Sequence, residues 1–296
     1  MPPSRARATT ALALLLLATT ACTDGEHEST PASRSPSVSE QLRLPLDAYA
    51  STVAETHLVE DAQDLLMRRC MNGLDMEWKT LPPVDPQDAK PPNLRRYGAD
   101  EAAAVRYGYH PSPDPPSVVR RNRAWDERDA LPAEVQRAAY GPSGKGGCLK
   151  TAQHQLAGDT APPDDHAFNQ LTGTALETSR RTPEVRNALR SWHTCMAKAG
   201  YDYRDPYAAA GSERWETAEI TPAERATARA DVTCQKSTQL VKVWAAAETH
   251  VQHRLIQQNT DRLHEAKARK DRWLAAARRV LRREGRTSHQ HHLSDQ

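Results

Sequence analysis

Four cysteines, Cys70, Cys148, Cys195 and Cys234, constrain what this chain can fold into more than any other feature, because they sit in echoed motifs. Cys195-Met196, then Gly200-Tyr201-Asp202-Tyr203, repeats Cys70-Met71, then Gly73-Leu74-Asp75-Met76, with two residues fewer between Met and Gly. A second echo, C-x-K-[ST]-x-Q, relates Cys148 to Gln153 with Cys234 to Gln239. An even set of cysteines behind an export signal reads as disulfides, and four of them allow three connectivities. If the two halves are related, the echoes select Cys70 with Cys148 and Cys195 with Cys234. The closed loops, roughly 80 and roughly 40 residues, would each stabilise the chain by about 4 kcal/mol on the chain-entropy account. There is no Cys-x-x-Cys of the kind that structural zinc sites use.

The export signal opens the chain. Arg5 and Arg7 form a basic start, Ala11 to Ala18 a short Leu-rich run, and Thr19-Thr20-Ala21 a small-residue stretch before Cys22. The apolar run is well short of the roughly 20 residues that span a bilayer. Leu17 to Cys22 resembles the lipobox of bacterial lipoproteins, with Thr19 in place of the usual Leu, and the resemblance implies a lipid on Cys22. The alternative is an ordinary signal cut near Ala21, leaving Cys22 as a free thiol. Residues 22–43 then read as a flexible tether, since Asp24 to Ser39 is rich in Ser, Pro and Thr.

Hydropathy patterning predicts an all-α fold of disulfide-bonded helices joined by Pro-rich connections. The spacing of apolar residues over Leu46 to Met71 is helical and should stop at Gly73. Asp100 is an N-cap for a short helix ending near Gly108, Ala133 to Tyr140 reads as helical, and a helix starts at Cys148. Thr182-Pro183-Glu184 starts another, closed by Gly200. The chain divides on this reading into an N-terminal half, 44–160, and a C-terminal half, 161–284, with a disordered tail over 285–296. Thr221-Pro222-Ala223-Glu224 is a capping box, and neither Gly nor Pro follows until Gly285. Residues 221–284 therefore read either as one long helix with a coiled-coil-like seam, projecting as an arm, or as a helix that bends around Gln257 to Thr260 and returns as a hairpin.

A hydrophobic fraction of 38%, a single Phe and a mean hydropathy of -0.77 point to a thin core. The net charge of +2 gives no global attraction to nucleic acid, and none is expected as a partner. The local charge is concentrated between Asp261 and Arg286, where Arg278, Arg279, Arg282 and Arg283 alternate with Trp273, Ala277 and Val280. These seven are the candidate partner-binding residues, facing another envelope protein, a wall polyanion or anionic headgroups. The alternative is a packed helix with a solvated basic back.

No nucleophile elbow, S-x-x-K, H-E-x-x-H or phosphate loop occurs, and no catalytic residue, metal or cofactor is assigned. Asp75, Asp202 and Asp205 lie beside aromatics but read better as turn and cap residues. His250 and His253 are one helical turn apart, too few to define a metal site.

The set R-R-C-M-N-G, R-R-Y-G, Y-G-Y-H-P, G-G-C, C-M-A-K-A-G-Y-D-Y and A-D-V-T-C-Q, from about Leu44 to Leu263, resembles a group of exported actinobacterial envelope proteins, often lipoproteins, of unassigned function. The resemblance implies location and cysteine pairing and transfers no activity. The expectation is a non-catalytic surface lipoprotein acting as a binding or adaptor component on the outer face of the cytoplasmic membrane. The alternatives are a wall-acting enzyme of unfamiliar type and a ligand-capturing lipoprotein that serves a transporter.

Overall fold

Side-chain caps at Thr52, Asp100, Thr182, Asp205 and Thr221 start five of the helices. The computed structural model describes residues 38–163 and 165–294, with side chains described from residue 40 to 283, so the expected signal, Cys22 and most of the tether lie outside the described residues. A short α1 (Val38–Gln41) and a 3-10 turn at Pro45–Tyr49 lead into α2 (Val53–Asn72), which Thr52 and Glu55 cap reciprocally. Then follow α3 (Glu101–Tyr107), α4 (Pro116–Asp129), α5 (Ala133–Tyr140), α6 (Gly147–Ala157), α7 (His166–Arg180), α8 (Pro183–Lys198) and α9 (Pro206–Ala210). The chain closes with α10 (Pro222–Ser237), α11 (Leu240–Gln258) and α12 (Thr260–Ser294). No strand occurs among the described residues, so the fold is all-α as expected.

Both disulfides form as the echoes select: Cys70 with Cys148 and Cys195 with Cys234, each with Cα atoms 5.6 Å apart. Such bonds persist in an oxidising, extracytoplasmic compartment. Among the described residues no helix is long and apolar enough to cross a membrane.

The first echo is a structural repeat, in a different register from the one the glycines suggest. At the end of α2 the Met76 N–H donates to the Met71 carbonyl at 3.0 Å, and Asp75 is left-handed with φ 56°. At the end of α8 the Tyr201 N–H donates to the Met196 carbonyl at 2.9 Å, and Gly200 is left-handed with φ 88°. Asp75, not Gly73, is thus the counterpart of Gly200, and the two segments align without a gap. A left-handed residue five past the Cys closes the helix in both, and Asp tolerates that conformation better than most residues. The second echo is not equivalent in position. Cys148 stands in the first turn of α6, whereas Cys234 stands in the last turn of α10.

A long C-terminal helix is present as α12 (Thr260–Ser294), but residues 221–284 are divided among three helices. Gln239 adopts φ 54°, ψ 27° and separates α10 from α11 although no Gly or Pro is present. The side chains of Ser237 and Thr238 both donate to the Cys234 carbonyl, at 3.2 and 2.7 Å, so hydroxyls compete with the backbone ladder where the disulfide also pins the helix. A second break falls at Asn259, inside the expected bend, where the Asn259 amide donates to the Leu255 carbonyl and Thr260 Oγ1 to that of Ile256. Beyond it α12 does not return along α11 as a hairpin. It crosses to lie on α2 and α6.

That crossing also corrects the division at residue 160. One core centres on Trp192 and Trp244 with Val185, Met196 and Leu240, and takes Tyr97, Ala104 and Tyr109 from the N-terminal half. The other centres on Met67, Met71 and Trp78, and takes Trp273, Ala276 and Ala277 from α12. A small cluster of Leu46, Leu171 and Leu263 lies apart from both. Each half completes the other's core, and all described residues belong to one unit.

A candidate binding cleft

The residues proposed for partner binding are divided by this packing. Trp273 and Ala277 are fully buried, with the Trp273 indole donating to the Ala161 carbonyl at 3.0 Å, so they are core residues and cannot present a seam. Val280 is half-buried against the same cluster. Arg278, Arg279, Arg282 and Arg283 lie on the exposed face, which makes α12 a packed helix with a basic back. The three aspartates do not converge. Asp205 is buried, caps α9 through the Ala208 N–H at 2.8 Å and pairs with Arg180, while Asp75 and Asp202 are exposed. His250 and His253 are exposed, and no metal-holding group of side chains occurs among the described residues.

A different site is assembled on α2 by charge. Asp64, 3% exposed, accepts from the Trp78 indole at 2.8 Å and the Arg128 guanidinium at 2.6 Å through Oδ1, and from the Leu81 N–H at 2.6 Å through Oδ2. Arg128 also donates to the Lys79 carbonyl, and its guanidinium lies 4.6 Å from the Trp78 ring and 5.1 Å from that of Trp125. Two turns earlier on the same face of α4, Arg121 bridges Glu60 and Asp61 at 2.8 Å each and donates to the Pro82 carbonyl. Ser117 completes the seam by donating to Asp88 and accepting from the Asp85 N–H. The buried residues of α4 are therefore Ser117, Arg121 and Arg128. A helix whose inner face is arginine carries no hydrophobic period, and for that reason sequence patterning passes over it. Its only legible signal is the Pro115-Pro116 start.

These ties hold α4 and residues 74–82 on α2 with an open cleft of about 890 Å³ between them. Leu74, Met76, Ala124, Leu131 and Val135 supply apolar lining. The charged lining is balanced: Lys79, Arg120, Arg123 and Arg128 against Asp75, Glu77, Glu127 and Glu134. Among the described residues no hydrogen bond is made by the N–H groups of Glu77, Trp78, Lys79 and Thr80, which line this wall of the cleft. A smaller hollow of about 320 Å³ lies beside Gln239, between the 99–101 segment and α10 and α11.

The remaining buried carboxylates are committed within the fold. Glu248 takes Arg96, the Tyr97 hydroxyl at 2.9 Å and Gln252 at 2.7 Å. Asp231 accepts from Trp192 at 2.8 Å, Gln235 at 2.9 Å and Tyr109 at 3.3 Å. Burial raises the Asp231 carboxyl from its ordinary value near 3.8 to about 6, against the lowering effect of those three donors. A raised folded value means that the stability from neutral Asp231 is fully present below about pH 3.8 and is lost as pH rises through about 6. Asp231→Asn is accordingly expected to match the parent at pH 3.5 and to exceed its unfolding free energy by about 1–3 kcal/mol at pH 7.5. Denaturant melts at the two pH values test this, and equal stability at pH 7.5 would contradict it.

No protein-family model, characterised protein or solved structure matches the chain, so the cleft is interpreted from its own atoms.

Proposed function

We propose that this protein is a non-catalytic binding component of the bacterial envelope, tethered by lipid on Cys22, that holds an extended segment of another envelope protein in the cleft between α4 and residues 74–82. The observation that carries this reading is the cleft wall at 77–80, an extended segment whose N–H groups make no hydrogen bond among the described residues, beside apolar lining. Extended peptides gain affinity from such main-chain groups and specificity from alternate side chains. The balanced rim favours a polypeptide of mixed charge over a polyanion, which would meet Glu127 and Glu134 as well as the arginines. The charged lining and solvent opening also fit a small apolar cargo poorly, which disfavours capture for a transporter. Support for the location comes from the two disulfides and from the signal-like stretch that ends at Cys22.

The test uses full-length protein expressed in its own host with a photo-cross-linking residue at Ala124, on the cleft floor, and at Arg278, on the basic back of α12. The expected result is a protein adduct from position 124 that is lost when Val135→Arg fills the cleft and persists in high salt. An adduct only from position 278, or one that dissolves with ionic strength, would place binding on the α12 arginines and overturn the cleft. In the same cells the intact mass should exceed that of the processed chain by a diacylglyceryl group, and Cys22→Ser should release the protein from membranes. An unmodified mass would remove the tether from the proposal.

A further inference from the structure

His110 lies between a carboxylate and a backbone carbonyl. Its Nδ1 is 2.8 Å from Glu224 Oε1 and its Nε2 is 2.9 Å from the Thr217 carbonyl oxygen. A neutral imidazole has one N–H, so either tautomer would leave a ring lone pair facing an oxygen lone pair. Only the imidazolium donates to both. The rest of the site is arranged around the same carboxylate. Glu224 is fully buried, and its Oε1 also accepts the N–H groups of Tyr109 at 2.7 Å and His110 at 3.2 Å. Its other oxygen, Oε2, is buried without a partner among the described residues, so an ionised Glu224 depends on these donors and on a positive neighbour.

The chain makes specific concessions for this arrangement. In a full capping box the Glu224 side chain would reach back to the Thr221 N–H; here Thr221 Oγ1 accepts the Glu224 N–H at 3.1 Å, while the carboxylate turns away to residues 109–110. Gly108 lets it come that close. At φ 59° a Cβ on residue 108 would stand 2.5 Å from Glu224 Oε1. From the other side Arg95 donates to the Tyr109 carbonyl, and the Tyr109 hydroxyl donates to Asp231.

We infer that His110, in its doubly protonated form, acts as a pH-sensitive clasp that fastens residues 109–110 and the 217 loop to the first turn of α10. Losing that proton removes one of the two ring bonds and the charge opposite Glu224. The clasp therefore tightens on acidification and loosens in alkali. The groups facing it are Glu224 and the Thr217 carbonyl, which favour the charged ring, and Arg95, which opposes it together with burial. The favourable group wins, and the His110 titration is raised above 6.5. By linkage, the stability that the clasp contributes is fully present below about pH 6.5 and is lost as pH rises through the raised folded value.

The experiment is a pH titration of the intact, disulfide-bonded chain by imidazole nitrogen NMR, with amide exchange of Tyr109 and His110 followed in parallel. The expected titration shows two N–H-type ring nitrogens for His110 on the acid side of a midpoint above 6.5. Exchange at the two amides, corrected for intrinsic chemistry, should rise by about tenfold for each unit that the midpoint exceeds 6.5. His110→Gln, which cannot become charged, should remove that pH dependence. Glu224→Gln should lower the His110 midpoint from the wild-type value, because the largest raising interaction is lost and only the Thr217 carbonyl then opposes burial and Arg95. A wild-type midpoint at or below 6.5 overturns the clasp, and the wild-type titration decides the matter even if the Glu224 variant fails to fold.

Discussion

Truncation after Gln257 is expected to abolish the cooperative unfolding transition, although it removes neither a cysteine nor any residue of α2 to α10. The deleted segment supplies Leu263, Trp273, Leu274, Ala276 and Ala277, all buried, and Trp273 fills the centre of the core that contains Met71 and Trp78. It also removes Lys270, which donates to the Ala50 carbonyl at 2.6 Å and pairs with Glu55 at the start of α2. Trp273→Ala alone should cost about 3–5 kcal/mol from lost burial and the cavity left behind. The whole fold is stabilised by only about 5–15 kcal/mol, so losing the full helix exceeds what the core on α2 can bear. Thermal melts of the truncated and single-substitution proteins, monitored by near-ultraviolet circular dichroism, measure this. A truncated protein that keeps the parent's transition would mean that α12 is an appendage, as an arm would be, and that its burial is not energetically coupled to the fold.

The second large effect is expected at Asp64. Asp64→Ala strips the acceptor from the Trp78 indole, the Leu81 N–H and the Arg128 guanidinium at once, and leaves Arg128 buried without its carboxylate, donating to the Lys79 carbonyl. Breaking one side of a buried pair in this way costs about 3–5 kcal/mol, because the stranded charge pays its desolvation without compensation. The damage should be local to the cleft walls. Residues 78–81 and the C-terminal turn of α4 lose their common tie, whereas the core around Trp192 and Trp244 does not touch Asp64. A double-mutant cycle with Arg128→Met separates the pair from the side chains' own packing, and the double variant should be more stable than Asp64→Ala alone. If the two losses simply add, Asp64 and Arg128 are not coupled, and the cleft is held by Arg121 with Glu60 and Asp61 instead.

These predictions differ from what the α12 sequence alone suggests, and the difference has a physical source. A stripe of Trp273, Ala277 and Val280 facing away from Arg278 and Arg282 states that one face is to be buried. It does not state against what. An open seam, a partner chain and the chain's own core satisfy the same period of 3.6 residues. Similarly, the absence of Gly and Pro between 223 and 284 permits an unbroken helix without requiring one. The breaks at Gln239 and Asn259 arise from Ser, Thr and Asn side chains that compete for backbone carbonyls.

What the sequence determined by itself was local chemistry: the caps at Asp100, Thr182 and Thr221, the helix ends after Cys70 and Cys195, and, through the two echoes, which cysteines meet. Each of these depends on residues a few positions apart or on a repeat that can be read directly. The tertiary structure alone decided the rest. It exchanged α3 and α12 between the two halves, converted a proposed binding stripe into core, and built a cleft from a helix that docks through Arg121 and Arg128. Those outcomes turn on pairings such as Asp64 with Arg128 and Glu224 with His110, separated by 64 and 114 residues. A buried charge is stabilised only by the partner that the fold brings to it, and no periodicity along the chain records where that partner lies.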